Sequence, residues 1–291
     1  MKNIILTIAL FSALVSCNKN KNAEQFEKNV VRKDLPTFES LYKFSTDNNT
    51  SGNFLIATNT GLGNTDFETY FQVQINGTFL EKKSQQNEAG QTSFFNGVKV
   101  EPNIMKPGEV YGYNRNFKWS EAGKLFGTQL SLKLHRGAAA SFVGDTAIDY
   151  NGGYSPNVFV CSNNFEEGLT STSGQYVRGT TLKPSYTFTW NKDSLNQNGV
   201  FVYVEYDPNG LGNETLKTSY PNREANGVMV DDNGAYTLTS ELFADIPLNA
   251  RVGIRIGRGN FSYIKQLDGT VTDMQMTVLT YQSGEFFYKT N

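Results

Sequence analysis

His135 is the only histidine in the 291 residues, so any Ser-His-Asp triad, Cys-His pair or multi-histidine metal centre must pass through it. It closes the alternating run Leu130-Ser131-Leu132-Lys133-Leu134 on the polar phase, beside Arg136, where a solvated ring belongs. Cys161 is the one thiol outside the N-terminal region, and a thiolate held by His135 would make a nucleophile. It follows Val158-Phe159-Val160 with no nucleophile signature around it, which favours a buried inert thiol. Ser131 and Ser141 lack a Gly-x-Ser-x-Gly elbow.

Carboxylate pairs could hydrolyse glycosides without histidine. Glu166-Glu167 and Asp231-Asp232 are adjacent, but that chemistry needs two carboxyls facing each other across a ligand at roughly 5–9 Å. Neighbours on a strand point to opposite faces, and in turns they are solvated, so no catalytic residue is assigned. The loop from Asp207 to Glu214 alternates oxygen ligands with glycine. Pro208 follows its first acid and the distal acid comes too early for a calcium loop, leaving a plain Pro-Asn-Gly turn. No metal or cofactor is expected.

Binding chemistry has better candidates. Tyr111, Tyr113, Phe117 and Trp119 alternate with Asn114, Arg115, Asn116 and Lys118. Rings beside amide and guanidinium donors suit a sugar face, which makes Trp119, Tyr111, Tyr113 and Arg115 the candidate ligand-binding residues. Alternate rings are also what the core side of a strand presents, and that reading is preferred. Arg251, Arg255 and Arg258 could line one sheet face toward an acidic ligand, against the plainer reading of a soluble edge.

These residues need a scaffold, and period-two patterning supplies one. Strands are predicted at 67–75, with Asn76-Gly77 as a hairpin turn, and at 98–100, 111–113, 130–135 and 158–161. Further strands are predicted at 186–190, 200–206, 235–238, 252–256, 274–279 and 285–288. Helical periodicity is confined to a short stretch around Phe26, Val30 and Val31 and one serine-capped turn at 240–244. Short strands punctuated by Asp/Asn-Gly turns indicate an all-β protein of two tandem β-sandwich domains, Ig-like or jelly-roll-like. The Gly/Ser/Thr/Asn-rich stretch between Gly137 and Pro184 is the expected junction, giving domains at 36–165 and 180–291.

Formal charge is -2 with acids and bases interspersed, so a nucleic-acid partner is not expected. Met1-Lys2-Asn3, an apolar run from Ile4 to Leu14, and Leu14-Val15-Ser16-Cys17 make up the N terminus. A positive start and a short apolar core mark a secretory signal rather than a membrane span. The stretch resembles a bacterial lipoprotein signal ending in a lipobox. That resemblance implies a signal peptide at 1–16, a diacylglycerol and further acyl chain such as palmitate on Cys17, and a lipidated tether at 17–35. Two or more chains hold stably to a membrane, the one partner the signal names directly.

With Asn18 after the cysteine, the resemblance implies the outer membrane and leaves the face open. Phe188-Thr189-Trp190-Asn191-Lys192-Asp193, the strand at 200–206 and Ile254-Arg255-Ile256-Gly257-Arg258-Gly259-Asn260 resemble Ig-like modules of uncharacterised Bacteroidota envelope lipoproteins. This resemblance implies a fold and a location, with no reaction. Asp145-Thr146-Ala147 and Asp193-Ser194-Leu195 resemble the O-glycosylation sequon of the same group, which would place glycans on Thr146 and Ser194. The expectation is a non-catalytic envelope module binding glycan or protein. The alternatives are a structural subunit of an outer-membrane complex and a carboxylate-dependent glycoside hydrolase.

Overall fold

The computed structural model describes residues 52–79, 92–101, 111–135, 146–166, 177–206, 224–264 and 274–289. The lipobox and Cys17, the tether, Ser141, Glu167 and the loop from Asp207 to Glu214 lie outside them. The all-β expectation holds.

Three strands organise the chain. β13 (Arg251–Ile264) and β14 (Met274–Tyr288) pair antiparallel along the whole of β13, and β1 (Gly52–Gly61) lies parallel on the other side of β14. β2 (Gln72–Phe79) and β5 (Tyr111–Lys118) extend the sheet beyond β1, while β10 (Val200–Tyr206) and β11 (Glu224–Val230) extend it beyond β13. A two-residue β8 (Thr181–Leu182) pairs with the end of β14. This sheet therefore joins strands from both sides of the expected junction, and residues 36–291 form one compact unit.

A four-stranded sheet contains β3 (Thr92–Phe95), β4 (Val98–Val100), β6 (Thr128–His135) and β7 (Thr146–Ser155), in the order β4-β3-β6-β7. Its Phe95, Val98, Val100, Leu130 and Leu132 share a core with Phe54, Ile56, Val73, Ile75, Met276 and Val278 of the large sheet. A two-stranded sheet, β9 (Thr187–Thr189) with β12 (Ala235–Thr237), belongs to a second core. There Phe159, Phe188, Trp190, Leu242 and Phe243 meet Val202, Val204, Ile254, Ile256 and Phe286.

Both cores occupy one face of the large sheet, because side chains two apart point the same way. Along β1 that face reads Phe54, Ile56, Thr58, Thr60, with Leu62 just beyond; along β14 it reads Met276, Val278, Thr280, Gln282, with Phe286 beyond. The two strands are in register, Thr58 beside Thr280 and Thr60 beside Gln282. β13 crosses the same level with Arg258 opposite Thr280. A polar row thus separates the first core from the second. The opposite face carries a smaller cluster of Ala57, Phe201, Leu279 and Tyr281.

Several local expectations change. Residues 67–70 form a helical turn, α1 (Phe67–Tyr70), because the Asp66 carboxylate accepts the Glu68 and Thr69 amides and so caps it. Asn76-Gly77 continues β2 rather than turning: Gly77 is a buried sheet position between Phe54 and Tyr113. The stretch 274–288 is one strand, since Gln282-Ser283-Gly284 stays paired with β13. Residues 158–161 run extended, with a single bridge from Cys161 to Trp190. The 310 turn Ser240–Phe243 follows Thr239, not a serine cap.

Candidate functional site

The aromatic stretch is divided between two elements. β5 ends at Lys118, and Trp119 opens the helical turn α2 (Trp119–Ala122), where the Glu121 carboxylate accepts the Lys118 amide at 3.0 Å. The Trp119 ring lies 4.9 Å from Phe67 and 6.0 Å from both Phe71 and Phe126. Gly123 passes beneath it so closely that a Cβ there would sit 2.4 Å from the ring. Trp119 is half-buried against the first core, and Phe117 is buried in it. The exposed Arg115 guanidinium covers the Phe117 ring at 4.9 Å. Tyr111 and Tyr113 occupy the far end of β5, opposite Phe79 and Gly77. Arg115, Asn116, Lys118, Ser120 and Glu121 are exposed, and along β5 Arg115 shares the face of Phe117 while Asn116 and Lys118 have the opposite phase.

The densest polar chemistry surrounds Arg258, the largest side chain with no exposed surface. Sequence reading grouped it with Arg251 and Arg255, and the structure corrects this. Arg251 and Arg255 pair with Glu285 and Glu205 at 3.2 and 3.1 Å, while Arg258 points to the opposite face. The signal was available, because 258 shares the strand phase of Val252, Ile254 and Ile256.

The Arg258 guanidinium lies over the Phe159 ring at 5.2 Å and donates from Nη2 to the Asn191 carbonyl. Its Nε and Nη1 stand 3.3 Å from Asp232 Oδ2 and 3.7 Å from Asp193 Oδ2, as ion pairs without an aligned hydrogen bond. Asp193 accepts from the Tyr154 hydroxyl at 2.9 Å and from the Asn157 and Leu195 amides at 2.8 and 3.1 Å. Asp232 accepts from Trp190 Nε1 and Asn196 Nδ2, each at 2.9 Å. Burial lowers the Arg258 pKa against the pull of the two acids, and burial together with Asp193 raises that of Tyr154.

This arrangement holds a strand-like segment that has no sheet of its own. Residues 157–163 cross the polar row; the Ser162 amide and the Val160 carbonyl pair with the backbone of Thr189 and Asn191, and side chains supply further partners. Thr280 Oγ1 accepts the Phe159 amide at 2.9 Å, Gln282 Oε1 accepts the Cys161 amide at 2.7 Å, and Asn191 Oδ1 accepts the Val160 amide at 2.8 Å. Gln282 Nε2 then donates to Thr60 Oγ1 and the Asn64 carbonyl. A buried backbone must find such partners, since an unsatisfied amide costs about 1–3 kcal/mol.

Every oxygen of Asp193 and Asp232 has a donor, and a guanidinium lies between the two carboxyls where a hydrolase would need its ligand. Sequence reading had placed Asp232 in a solvated turn; its neighbour Asp231 is exposed, but Asp232 is buried. Cys161 is fully buried, and burial pushes its thiol up to about 11, the inert case. His135 ends β6 between Thr92 and Thr146. Of the sequon residues, Ser194 is exposed in a turn with Leu195 66% exposed, whereas Asp193 points inward; Thr146 opens β7. No group of three or more metal-ligating side chains occurs among the described residues.

A comparison with protein-family models gave no match, and neither did one with curated proteins. Among the described residues no helix is long and apolar enough to cross a membrane.

Proposed function

We propose that this chain is a lipid-anchored envelope protein, held in the outer membrane through Cys17, whose β body binds glycan or protein ligands without chemistry. One observation carries the reading. The buried acids Asp193, Asp232 and Glu205 are all committed to ion pairs inside the fold, whereas Arg115, on the strand that leads to Trp119, is exposed with its guanidinium over an aromatic ring. A site that reads hydroxyls or amides needs the second arrangement and not the first. Arg115 is the donor we assign to it, with Trp119 as the ring; Tyr111 and Tyr113 extend the same strand. The lipobox supports the anchor, and its likeness to Bacteroidota lipoproteins supports the envelope location.

The test is retention of the detergent-solubilised protein on a glycan array, with Arg115→Ala as the probe because Trp119 also serves the core. Retention that falls at least about tenfold, equivalent to 1.4 kcal/mol, with unchanged melting supports the reading. Equal retention by both proteins contradicts it, as does turnover on a polysaccharide panel.

A second reading, a structural subunit of an outer-membrane complex, is favoured by one end of the large sheet. β11 has one hydrogen-bonded neighbour among the described residues, and such an edge accepts a partner strand. A stoichiometric protein co-purifying from membranes would move the assignment there.

A further inference from the structure

Among the described residues, the end strands of the two larger sheets are not alike. β5 carries the exposed cations Arg115 and Lys118; β4 carries the exposed Lys99–Glu101 ion pair at its end; β7 meets β6 through two register shifts. Charges and irregularities of this kind discourage pairing with another chain. β11 has neither. From Ala225 to Val230 it has no charge and no proline, and it pairs with β10 without a shift. Val228 and Val230 pack only partly against the second core, and Met229 partly against the cluster on the other face. Gly227 at its centre is exposed, and a Cβ there would meet the Tyr203 ring at 2.7 Å, so that ring takes the space a side chain would fill.

We infer that β11 is a self-association edge, pairing antiparallel with β11 of a second copy about Gly227 and continuing the eight-stranded sheet across a two-fold axis. The occupant follows from the strand's own composition. An edge uncharged over six residues, with apolar side chains half-covered on both faces, is completed by a strand of the same kind. In that register Val228 lies opposite Asn226 of the second copy, and Met229 opposite Ala225. The only charge, Glu224, meets Val230, so the two glutamates stand at opposite ends and do not repel. The isologous geometry closes, giving a dimer rather than a fibre. The inference does not depend on the ligand-binding reading.

Sedimentation of the full-length protein in mild detergent should give the dimer mass, weakening at least about tenfold in Val228→Lys and persisting in Val228→Thr. Oxidation with copper phenanthroline should link Ala225→Cys chains to Met229→Cys chains in a mixture and link neither variant alone. A monomer mass at every concentration overturns the inference. So does a dimer that survives Val228→Lys or shows no mixed cross-link, since its interface lies elsewhere.

Discussion

The two cores share one face of one sheet, yet they are closed in different ways. The first lies under a four-stranded sheet whose strands pair with one another in a ladder. The second lies under a two-stranded sheet, a 310 turn and the segment 157–163, which has no ladder over most of its length. Where the cover lacks a ladder, side chains must supply the hydrogen bonds, and they must be buried to do it. Thr280, Gln282, Asn191 and the Arg258 cluster are the result. The buried Arg258 cluster marks where backbone runs out of partners.

Breaking that difference should give the largest effect at Arg258. Arg258→Met keeps the bulk but leaves Asp193 and Asp232 buried without a counter-charge, which costs about 3–5 kcal/mol. Denaturant unfolding checks this, and adding Asp232→Asn should recover part of the loss. In the first core the counterpart is Trp119→Ala, expected near the lower end of about 3–5 kcal/mol because the ring is only half-buried. A loss below 1 kcal/mol would return Trp119 to the surface site.

Gln282→Leu sharpens the comparison at constant size. It strands the Cys161 amide and the Asn64 carbonyl at a cost of about 1–3 kcal/mol. Met276→Leu, at the apolar end of the same strand, should cost less than about 1.5 kcal/mol. Equal losses would mean that the polar row does no special work.

The smallest effect is alkaline. The Cys161 thiol has its ordinary 9.0 raised to about 11 by burial, so its contribution is complete below pH 9 and lost as pH rises through 11. Tyr154, also raised, adds to the loss above pH 10. Melting temperature should therefore fall across this window, and less steeply in Cys161→Ala.

Much of the fold was legible in sequence because it rests on local alternation. The strands at 98–100 and 130–135 were read from period two, and Cys161 was read as buried from the apolar run before it. What was missed depends on distant partners. β14 looked like two strands because Gln282-Ser283-Gly284 resembles a break, and only its pairing with β13 keeps it extended. Asn76-Gly77 carries a turn signature that Phe54 and Tyr113 override from neighbouring strands. The parallel pairing of β1 with β14 joins residues more than 200 apart and leaves no local trace. At the candidate site, Trp119 took its position from a capping glutamate that period two does not register.

One measurement bears most directly on the central claim, that a single sheet carries both cores. The chain has two tryptophans, Trp119 against the first core and Trp190 within the second. Thermal unfolding followed by fluorescence in Trp190→Phe reports the first core, and in Trp119→Phe the second. After each is referenced to the calorimetric midpoint of its own variant, both tryptophans should report the same midpoint, as one cooperative sheet requires. Two separated transitions within one variant, with the tryptophan following only one of them, would contradict the account and restore two independent domains.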